Sequence, residues 1–331
     1  MDCIKESILS GGERCKIART FGDNLMRVLN AMPELVSAGE RLDQDEDALG
    51  WLRDSSTLLG DVAALRQRMQ EDGYLFLPGL LDRDDVLSAR AEVVGRLAAA
   101  GYLDPSYPPE AAVGSPTNRN AFLPELLCKD NRPLLRVLYE GAMIAFFEAF
   151  FGRPVLHYDY TWFRSVPPGH GTLSHCDVVY MGRGEREQLF TAWTPMGDID
   201  FEEGGLMILE GSHRHQKLKA TYGEMDVDSF CENKPNARSW GKSWGTSGTL
   251  KGNPNQLRRS LGGRWMTAEY RAGDVLIFSM FTVHASLDNR SKRIRLSSDS
   301  RYQPAGAAVD ERWVGANPPG HGPAGKRGKI C

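Results

Sequence analysis

The stretch Gly273-Asp-Val-Leu-Ile-Phe-Ser-Met-Phe-Thr-Val-His-Ala-Ser286 carries two short, strand-like apolar runs, and the second run contains a histidine. Comparable runs, rich in β-branched and aromatic residues and divided by Gly, Pro and Asp, lie on both sides of it. They are Val155–Phe163, Leu189–Trp193, Leu206–Leu209, Trp265–Tyr270 and Ile294–Tyr302. Many short strands at close spacing are typical of a barrel or jelly roll, so the sequence after residue 154 predicts that fold.

The sequence before residue 154 carries helical patterns instead. Asp82–Ala100 begins with acidic residues and ends before a glycine, and the very apolar Arg132–Phe151 is likewise followed by a glycine. Such residues are typical of the starts and ends of helices. We therefore expect helices that pack on the outside of the β-domain.

Changes in composition along the chain predict its domain organisation. The predicted parts are a peripheral N-terminal segment at 1–60, the main domain at 61–310 and a flexible C-terminal tail at 311–331. An insertion at 216–263, rich in Gly, Asn, Ser and Lys, interrupts the strands, and an insertion of that length in a compact β-domain is typical of a lid. Its Trp240 and Trp244 are equally compatible with capping a substrate and with anchoring the loop.

Composition excludes several classes of protein. The net charge is −3, so no general basic field favours nucleic acid or an anionic membrane. No run of about 18 apolar residues predicts a membrane span, and the N-terminus lacks the pattern of a secretory signal. The six cysteines lie far apart without a CxxC pair, which favours reduced thiols. We expect a cytoplasmic monomer or homodimer that acts on a small molecule.

Two His-x-Asp triplets are candidates for a metal site: His157-Tyr-Asp159 and His175-Cys-Asp177. In a strand, residues i and i+2 point to the same face, so the two side chains of a triplet can bind one metal ion. A histidine from a distant strand, here His284, would complete a facial triad with open positions for 2-oxoglutarate and O₂. A lone His-x-Asp triplet also arises by chance. In that case its histidine is an ordinary residue of a strand and its Asp an exposed carboxylate nearby.

The residues after His284 strengthen one of these interpretations. Asn289, Ser291, Arg295, Ser297 and Arg301 follow in one polar, strand-like run. A guanidinium pairs with a carboxylate through two parallel hydrogen bonds, so Arg295 suits the far carboxylate of 2-oxoglutarate. Such a residue has no evident role in a purely structural metal site.

The sequence resembles the phytanoyl-CoA dioxygenase superfamily of Fe(II)- and 2-oxoglutarate-dependent oxygenases over about residues 70–304. The matching motifs stand in the family's order. They are Pro167-Pro-Gly169, His175-Cys-Asp177, Thr191-Ala-Trp193, Gly204-Gly-Leu-Met-Ile-Leu-Glu-Gly-Ser-His213, Gly273-Asp-Val275, His284-Ala-Ser286 with Asn289, Arg295, and Arg301-Tyr-Gln-Pro304. The resemblance implies a double-stranded β-helix, that is, a jelly-roll or cupin-like barrel.

The resemblance also implies roles for single residues. His175, Asp177 and His284 would bind iron, Arg295 and Ser286 would hold 2-oxoglutarate, and Trp193 with Thr191 would line its site. The residue between His and Asp is often Gln in this family and touches the co-substrate, whereas Cys176 stands there. Arg164 is a further candidate contact, either for 2-oxoglutarate or for an acidic substrate. His157 and Asp159 become wall or core residues, and His213 a structural residue near the site.

The function implied is oxidation of a small organic substrate, such as a secondary metabolite, with release of succinate and CO₂. Hydroxylation, desaturation, ring formation and epoxidation all remain open. Related halogenases replace the carboxylate ligand with a small residue, so Asp177 favours oxygenation. The alternatives are a cupin-type metalloenzyme that does not use 2-oxoglutarate, a non-catalytic binding protein on the same barrel, and an interaction protein that binds partners through its long loop.

Overall fold

A computed structural model describes residues 33–118, 122–233, 248–250 and 252–330 of the chain. The chain divides into a unit at Met1–Glu34 and a larger unit at Leu35–Cys331, and the following account concerns the larger one. Within the described residues, no helix is long and apolar enough to cross a membrane.

The larger unit is built from short strands and peripheral helices. The strands are β1 Val36–Ser37, β2 Glu40–Arg41, β3 Leu49–Trp51, β4 Tyr74–Leu77, β5 Val155–His157, β6 Trp162–Val166, β7 Phe190–Pro195, β8 Leu206–Leu209, β9 Ser229–Cys231, β10 Trp265–Thr267, β11 Val275–Ser279, β12 His284–Ser286, β13 Arg295–Pro304 and β14 Arg327–Lys329. The helices are α1 Val62–Asp72, α2 Arg83–Ala99, α3 Pro124–Leu127, α4 Arg132–Tyr139, α5 Gly141–Phe151, α6 Val178–Met181, α7 Gln216–Ala220 and α8 Pro254–Leu261.

Two sheets form the body of the fold. The larger has the order β4-β11-β7-β13-β5, with β6 also paired to β13, and the smaller has the order β12-β8-β10-β3. A shared core includes Trp193 and Phe278 from the larger sheet with Ile208 and Met266 from the smaller one, so the two sheets pack face to face. The described strands leave the sheets as an open sandwich. The predicted mainly β, jelly-roll fold is confirmed.

The helices cover the outer face of the larger sheet, as the sequence predicts. Helix α2 begins at its N-cap Asp82, whose side chain accepts a hydrogen bond from the Asp85 amide. Its buried residues Val86, Val93 and Leu97 pack in the same core as the outward-facing residues of β11 and β13. The inner face of β13 is thereby left for polar side chains.

The apolar stretch at 132–151 forms two helices where the sequence predicts one. The backbone is extended at Glu140, which separates α4 from α5, and Gly141 has a positive φ of 56°. A glycine adopts that conformation at little cost, so it permits the break. Both helices still pack on the core.

The structure differs from the predicted division of the chain at both ends. Residues 35–60 are part of the larger unit, because β3 pairs with β10 and Leu49 and Leu52 are buried. The segment at 311–331 is not a flexible tail in its described part: Trp313 is fully buried and β14 pairs with β9. A single buried tryptophan anchors a stretch whose other residues have the composition of a loop.

The cysteines and the insertion also bear on the predictions. Cys128 and Cys176 are free and buried, whereas Cys231 is disulfide-bonded, so the expectation of reduced thiols is wrong for Cys231.

The predicted insertion at 216–263 contains α7, β9 and α8. Trp240 and Trp244 lie outside the described residues, and the proposed lid remains a prediction.

Candidate metal and co-substrate site

Three side chains converge between the two sheets. His175 and His284 form an antiparallel bridge through their backbones, with N···O distances of 3.0 and 2.9 Å. Asp177 follows at the N-cap of α6 with a helical backbone, so the His-x-Asp triplet lies at a strand-to-helix junction and not within a regular strand. Its Oδ1 lies 3.5 Å from Nε2 of His175 and 3.7 Å from Nε2 of His284.

Backbone carbonyl groups fix the orientation of both imidazole rings. Nδ1 of His175 lies 2.7 Å from the carbonyl oxygen of Leu173, and Nδ1 of His284 lies 3.0 Å from that of Thr282. A carbonyl only accepts hydrogen bonds, so Nδ1 carries the proton in each ring and Nε2 presents its lone pair to Asp177. This arrangement is the usual support for histidine ligands of a metal ion.

The second oxygen of Asp177 is bound on its outer side. Thr191 Oγ1 donates to Oδ2 at 2.5 Å and Arg301 Nη2 donates to it at 2.8 Å. Burial raises the pKa of this carboxyl, but Arg301 and the two imidazoles lower it more, and the pKa lies well below its usual value. Burial and the neighbouring His175 lower the pKa of His284 to about 4, against the opposite effect of Asp177. The carboxylate is therefore charged and the His284 ring neutral, as metal ligands require.

The donor set fits ferrous iron. One ligand atom from each of His175, Asp177 and His284 lies within 4.8 Å of the other two, and this is the group of potential metal ligands found among the described residues. Two imidazoles and one carboxylate on one side of an ion suit a non-haem Fe(II) centre. His157 and Asp159 lie elsewhere, where His157 stacks on Tyr139 at 4.2 Å.

Arg295 is buried behind this group with most of its hydrogen-bonding capacity unused. Its Nη1 donates to the carbonyl oxygen of Gly204 at 2.5 Å, while Nε and Nη2 are buried and have no partner among the described residues. Burial and the charge of Arg164 lower the pKa of Arg295 to about 10. A buried guanidinium edge without partners is costly unless an anion occupies it, and a carboxylate matches that edge.

Gly204 permits the close approach that places this carbonyl group. Its φ is +84°, and a Cβ atom at this position would lie 2.6 Å from the carbonyl oxygen of Leu287. Only glycine fits both the backbone conformation and the space. The Gly-Gly pair at the start of β8 is therefore part of the site's framework.

Three further predicted co-substrate residues are buried, and each has its own surroundings. Trp193 faces the interior, and its Nε1 is buried without a partner among the described residues. Ser286, two residues after His284, accepts a hydrogen bond from the Thr172 amide. Cys176 has its thiol 3.3 Å from the carbonyl oxygen of Phe281 and its amide on Tyr222. Burial raises the pKa of the Cys176 thiol well above its usual value.

Arg164 forms an ion pair with Asp299, a residue that the sequence analysis did not single out. Arg164 Nε lies 2.5 Å from Asp299 Oδ2. Register places Arg164 opposite Ser297 and Asp299 opposite Trp193, on the inner face of the larger sheet. The sequence pattern could have placed Asp299 on this inner face. Arg295, Ser297, Asp299 and Arg301 alternate along β13, and every second residue of a strand points to the same side of the sheet.

An open cavity of about 330 Å³ leads to the candidate ligands. Its apolar wall includes Phe122, Trp162, Leu173, Tyr180 and Met181. Its polar wall includes Arg164, Thr172, Thr249, Arg301 and His321. His321 and Thr249 were not predicted, because one belongs to the supposed tail and the other to the insertion. An apolar cavity with a few polar groups is typical of a small-molecule site.

Known proteins resemble this chain in sequence. The family model described as Phytanoyl-CoA dioxygenase (PhyH) matches residues 69–297. The 1-deoxypentalenic acid 11-beta-hydroxylase of Streptomyces exfoliatus is 27% identical over 272 residues, which cover 78% of this chain and 87% of that protein. The enzyme of the same name from Streptomyces arenae is 26% identical over 262 residues, which cover 76% and 84%.

Solved structures show the same fold. EctD from S. alaskensis, with 2-oxoglutarate and 5-hydroxyectoine, matches with a TM-score of 0.52 at 16% identity, over 88% of this chain and 92% of that one. The non-heme alpha ketoglutarate dependent carbocyclase SnoK from nogalamycin biosynthesis matches with a TM-score of 0.51 at 18% identity, over 75% and 86%. At these identities the likeness concerns the fold alone.

Proposed function

Because this chain belongs to the phytanoyl-CoA dioxygenase family and is a 2-oxoglutarate-dependent dioxygenase, we propose that it hydroxylates a small, largely apolar carboxylic acid. His175, Asp177 and His284 would hold Fe(II), and Arg295 would hold the far carboxylate of 2-oxoglutarate. In the overall reaction, O₂, 2-oxoglutarate and a substrate C–H bond give succinate, CO₂ and a C–OH group.

One observation carries the use of 2-oxoglutarate. Arg295 is fully buried and offers Nε and Nη2 without partners among the described residues. A buried guanidinium with unpaired donors would be stabilised by a bound anion. This argues against a cupin-type metalloenzyme without the co-substrate, which would leave a buried guanidinium edge unused.

Bound Fe(II) and 2-oxoglutarate would supply the oxidising chemistry. Residues of the chain prepare the site for this chemistry in three ways. Thr191 and Arg301 hold Oδ2 of Asp177, so that Oδ1 faces the metal position. The carbonyl groups behind His175 and His284 hold the Nδ1–H of each ring, so that Nε2 is the nitrogen turned towards the metal position. The aromatic and aliphatic wall keeps water away from the reacting C–H bond, which protects the reaction from side paths.

Charge balance supports an anionic substrate. Apart from Glu203, which acts on Arg295 but is itself paired with Arg293, the described charged groups at the cavity and around Arg295 are the guanidiniums of Arg164, Arg295 and Arg301 and the carboxylates of Asp177 and Asp299. This set has one positive charge in excess. Ferrous iron and the 2-oxoglutarate dianion would cancel each other, so a substrate carboxylate would balance the excess charge. Arg164 and Arg301 both line the open cavity, but Arg301 is buried and bound to Asp177, so Arg164 is the cation that would meet the substrate carboxylate.

Hydroxylation is the proposed outcome because the two curated relatives are named as hydroxylases of a carboxylic acid. A substrate that is an acid, as in their names, also fits the charge balance described above. Asp177 occupies the carboxylate position, which supports oxygenation. Desaturation, ring formation and epoxidation require the same metal and co-substrate and differ in the product that is released.

The test is an assay of 2-oxoglutarate turnover with the purified full chain. We expect Fe(II)-dependent formation of succinate and CO₂, stimulated by 1-deoxypentalenic acid, the acid in the relatives' names, and not by its methyl ester. In Arg164→Leu this difference between acid and ester should disappear, while the slow turnover without substrate stays as in the wild type. Lys292→Met, at an exposed cation outside the cavity, is the matched control. Absence of any turnover of 2-oxoglutarate would favour the non-catalytic binding protein.

A further inference from the structure

The C-terminal segment supplies a polar side chain to the substrate cavity. His321 lines the cavity together with Tyr180, and the two rings lie 5.8 Å apart at 71°. Tyr180 in turn lies 5.5 Å from the ring of His175 at 90°. His321 is therefore one aromatic ring removed from a candidate iron ligand, on the wall that a substrate would contact.

A buried carboxylate fixes His321. Its Nδ1 lies 2.7 Å from Oδ2 of Asp228, which is 2% exposed. Arg312 Nη1 donates to the same oxygen at 2.7 Å, and Lys326 Nζ donates to Oδ1 at 2.8 Å. On its other side the imidazole packs edge-to-face on Trp313 at 4.6 Å. The ring thus has a fixed orientation, which a substrate contact needs in order to be selective.

The charges around Asp228 balance when the imidazole is neutral. The carboxylates are those of Asp226, Asp228 and Asp310, and the cations are Arg183, Arg312 and Lys326. With Nδ1–H donating to Asp228, Nε2 of a neutral ring is a hydrogen-bond acceptor. Among the described residues, Nε2 has no hydrogen-bond partner.

We propose that His321 is a substrate-binding residue whose Nε2 accepts a hydrogen bond from a hydroxyl group of the substrate. The proposal rests on the proposed function, since it concerns the same cavity, and it narrows the substrate to a compound that carries an alcohol. Asp228 is the positioning residue, because it selects the tautomer and touches no substrate. The segment at 310–326 is then part of the active site.

The test uses the full chain loaded with Zn(II) and 2-oxoglutarate. This complex is diamagnetic and does not turn over. Histidine labelled with ¹⁵N in the ring reports each Nε2, and His321→Gln assigns the signal of His321. The probes are decahydro-2-naphthol and its methyl ether. We expect the alcohol to move the Nε2 signal of His321 upfield in a saturable way, and the ether to leave it unchanged. His157, which is stacked on Tyr139 outside the cavity, is the internal control.

Affinity provides a second measurement. In His321→Phe the dissociation constant of the alcohol should rise about threefold to tenfold, as for the loss of one neutral hydrogen bond, while that of the ether stays the same. His321→Gln, which keeps a polar atom near the Nε2 position, should retain part of the preference and replaces the Phe variant if that variant does not fold.

Three results would overturn the proposal: an unmoved Nε2 signal when the alcohol is bound, an equal shift with alcohol and ether, or no binding of the alcohol up to its solubility. The turnover of 2-oxoglutarate without substrate is measured separately. If that turnover is present and the Nε2 signal stays fixed, the role of His321 fails and the proposed function stands. If turnover is absent and the signal moves, the role of His321 stands and the proposed function fails.

Discussion

Arg301 donates a hydrogen bond from Nη2 to Oδ2 of Asp177 at 2.8 Å, and both side chains are buried. Its Nη1 donates to the carbonyl oxygen of Asp299, and its guanidinium lies 4.5 Å from the ring centre of Trp162. Arg301 is therefore held from two sides before it meets the carboxylate. It orients a candidate iron ligand and leaves Oδ1 of that ligand facing the two histidines.

Arg301→Leu should weaken metal binding without abolishing it. The loss of a residue that supports a ligand typically lowers metal affinity about 10- to 100-fold, because the ligand is less well oriented. Titration with Co(II) measures the affinity. Thr191→Val, which removes the other donor to Oδ2 at nearly constant volume, is expected to act in the same direction. Equal affinities in the wild type and both variants would show that Oδ2 needs no support.

Removal of the ligands themselves should have a larger effect. His175→Ala, Asp177→Ala and His284→Ala are each expected to abolish stoichiometric metal binding and the turnover of 2-oxoglutarate, with the fold retained. His157→Ala and Asp159→Ala are the matched controls from the second His-x-Asp triplet and should keep both. Metal analysis and circular dichroism provide the measurements. Loss of metal in His157→Ala, with metal retained in His175→Ala, would reverse the assignment.

Arg295→Leu should raise the KM for 2-oxoglutarate far more than it changes metal affinity. A charge-assisted bidentate contact contributes about 1.5–3 kcal/mol, which corresponds to roughly a 10- to 150-fold change. Substrate-independent succinate formation gives the KM, and Co(II) titration gives the metal affinity. Lys292→Met is again the control. An unchanged KM would place the far carboxylate on another cation, with Arg301 or Arg164 next in line.

The strands were predicted from local pattern, whereas His175, Asp177, His284 and Arg295 were singled out by the order of motifs that resembles the family. The structure brings the side chains of His175, Asp177 and His284 together. Asp177 was expected on a strand and lies at the start of α6, since the bridge between His175 and His284 ends there. That the guanidinium of Arg301 supports Asp177 could not be predicted, because the contact joins residues 124 positions apart.

The C-terminal segment is the clearest failure of the sequence interpretation. Its Pro and Gly content is typical of a disordered end, and Trp313 is its one residue of the Phe, Trp and Tyr group. That tryptophan packs on Trp162 at 4.4 Å, and Arg312 beside it pairs with Asp226 and Asp228. These partners come from distant parts of the chain, so composition alone gave no signal that the segment is ordered or that it carries His321 to the cavity.

The ion pairs of Asp228 should make the stability of the protein depend on pH in acid. Burial raises the pKa of Asp228, but hydrogen bonds from His321 and Lys326 lower it more, and the folded-state pKa lies below the usual 3.8. The unfolded chain therefore binds more protons as pH falls below about 3.8, and the stabilisation from this group is lost there. The stability gap between the wild type and Asp228→Asn, measured by urea denaturation, should be constant above pH 5 and narrow below 3.8. A gap that does not change with pH would mean that the ion pairs contribute nothing.

Substitution of Tyr222 tests the hypothesis that the insertion at 216–263 covers the metal site. Its hydroxyl group donates to the carbonyl oxygen of Gly248 and accepts a hydrogen bond from the Cys176 amide at 3.2 Å, so it joins the insertion to the metal-binding loop. Leu250 N, close by, donates to the carbonyl oxygen of Ser174 at 2.7 Å, and Thr249 lines the cavity.

Tyr222→Phe removes both hydrogen bonds with little change in shape. We expect faster hydrogen exchange in the peptide that contains Leu250 and weaker protection of that peptide by Zn(II) with 2-oxoglutarate. Because the metal ligands are untouched, Co(II) affinity should change less than it does in Arg301→Leu. Thr221→Ala removes a neighbouring hydroxyl group that bonds to Lys217 at the protein surface, and it is the matched control. Unchanged exchange at Leu250 in Tyr222→Phe would mean that this part of the insertion is held independently of the site, and the insertion would then lose its role as a lid.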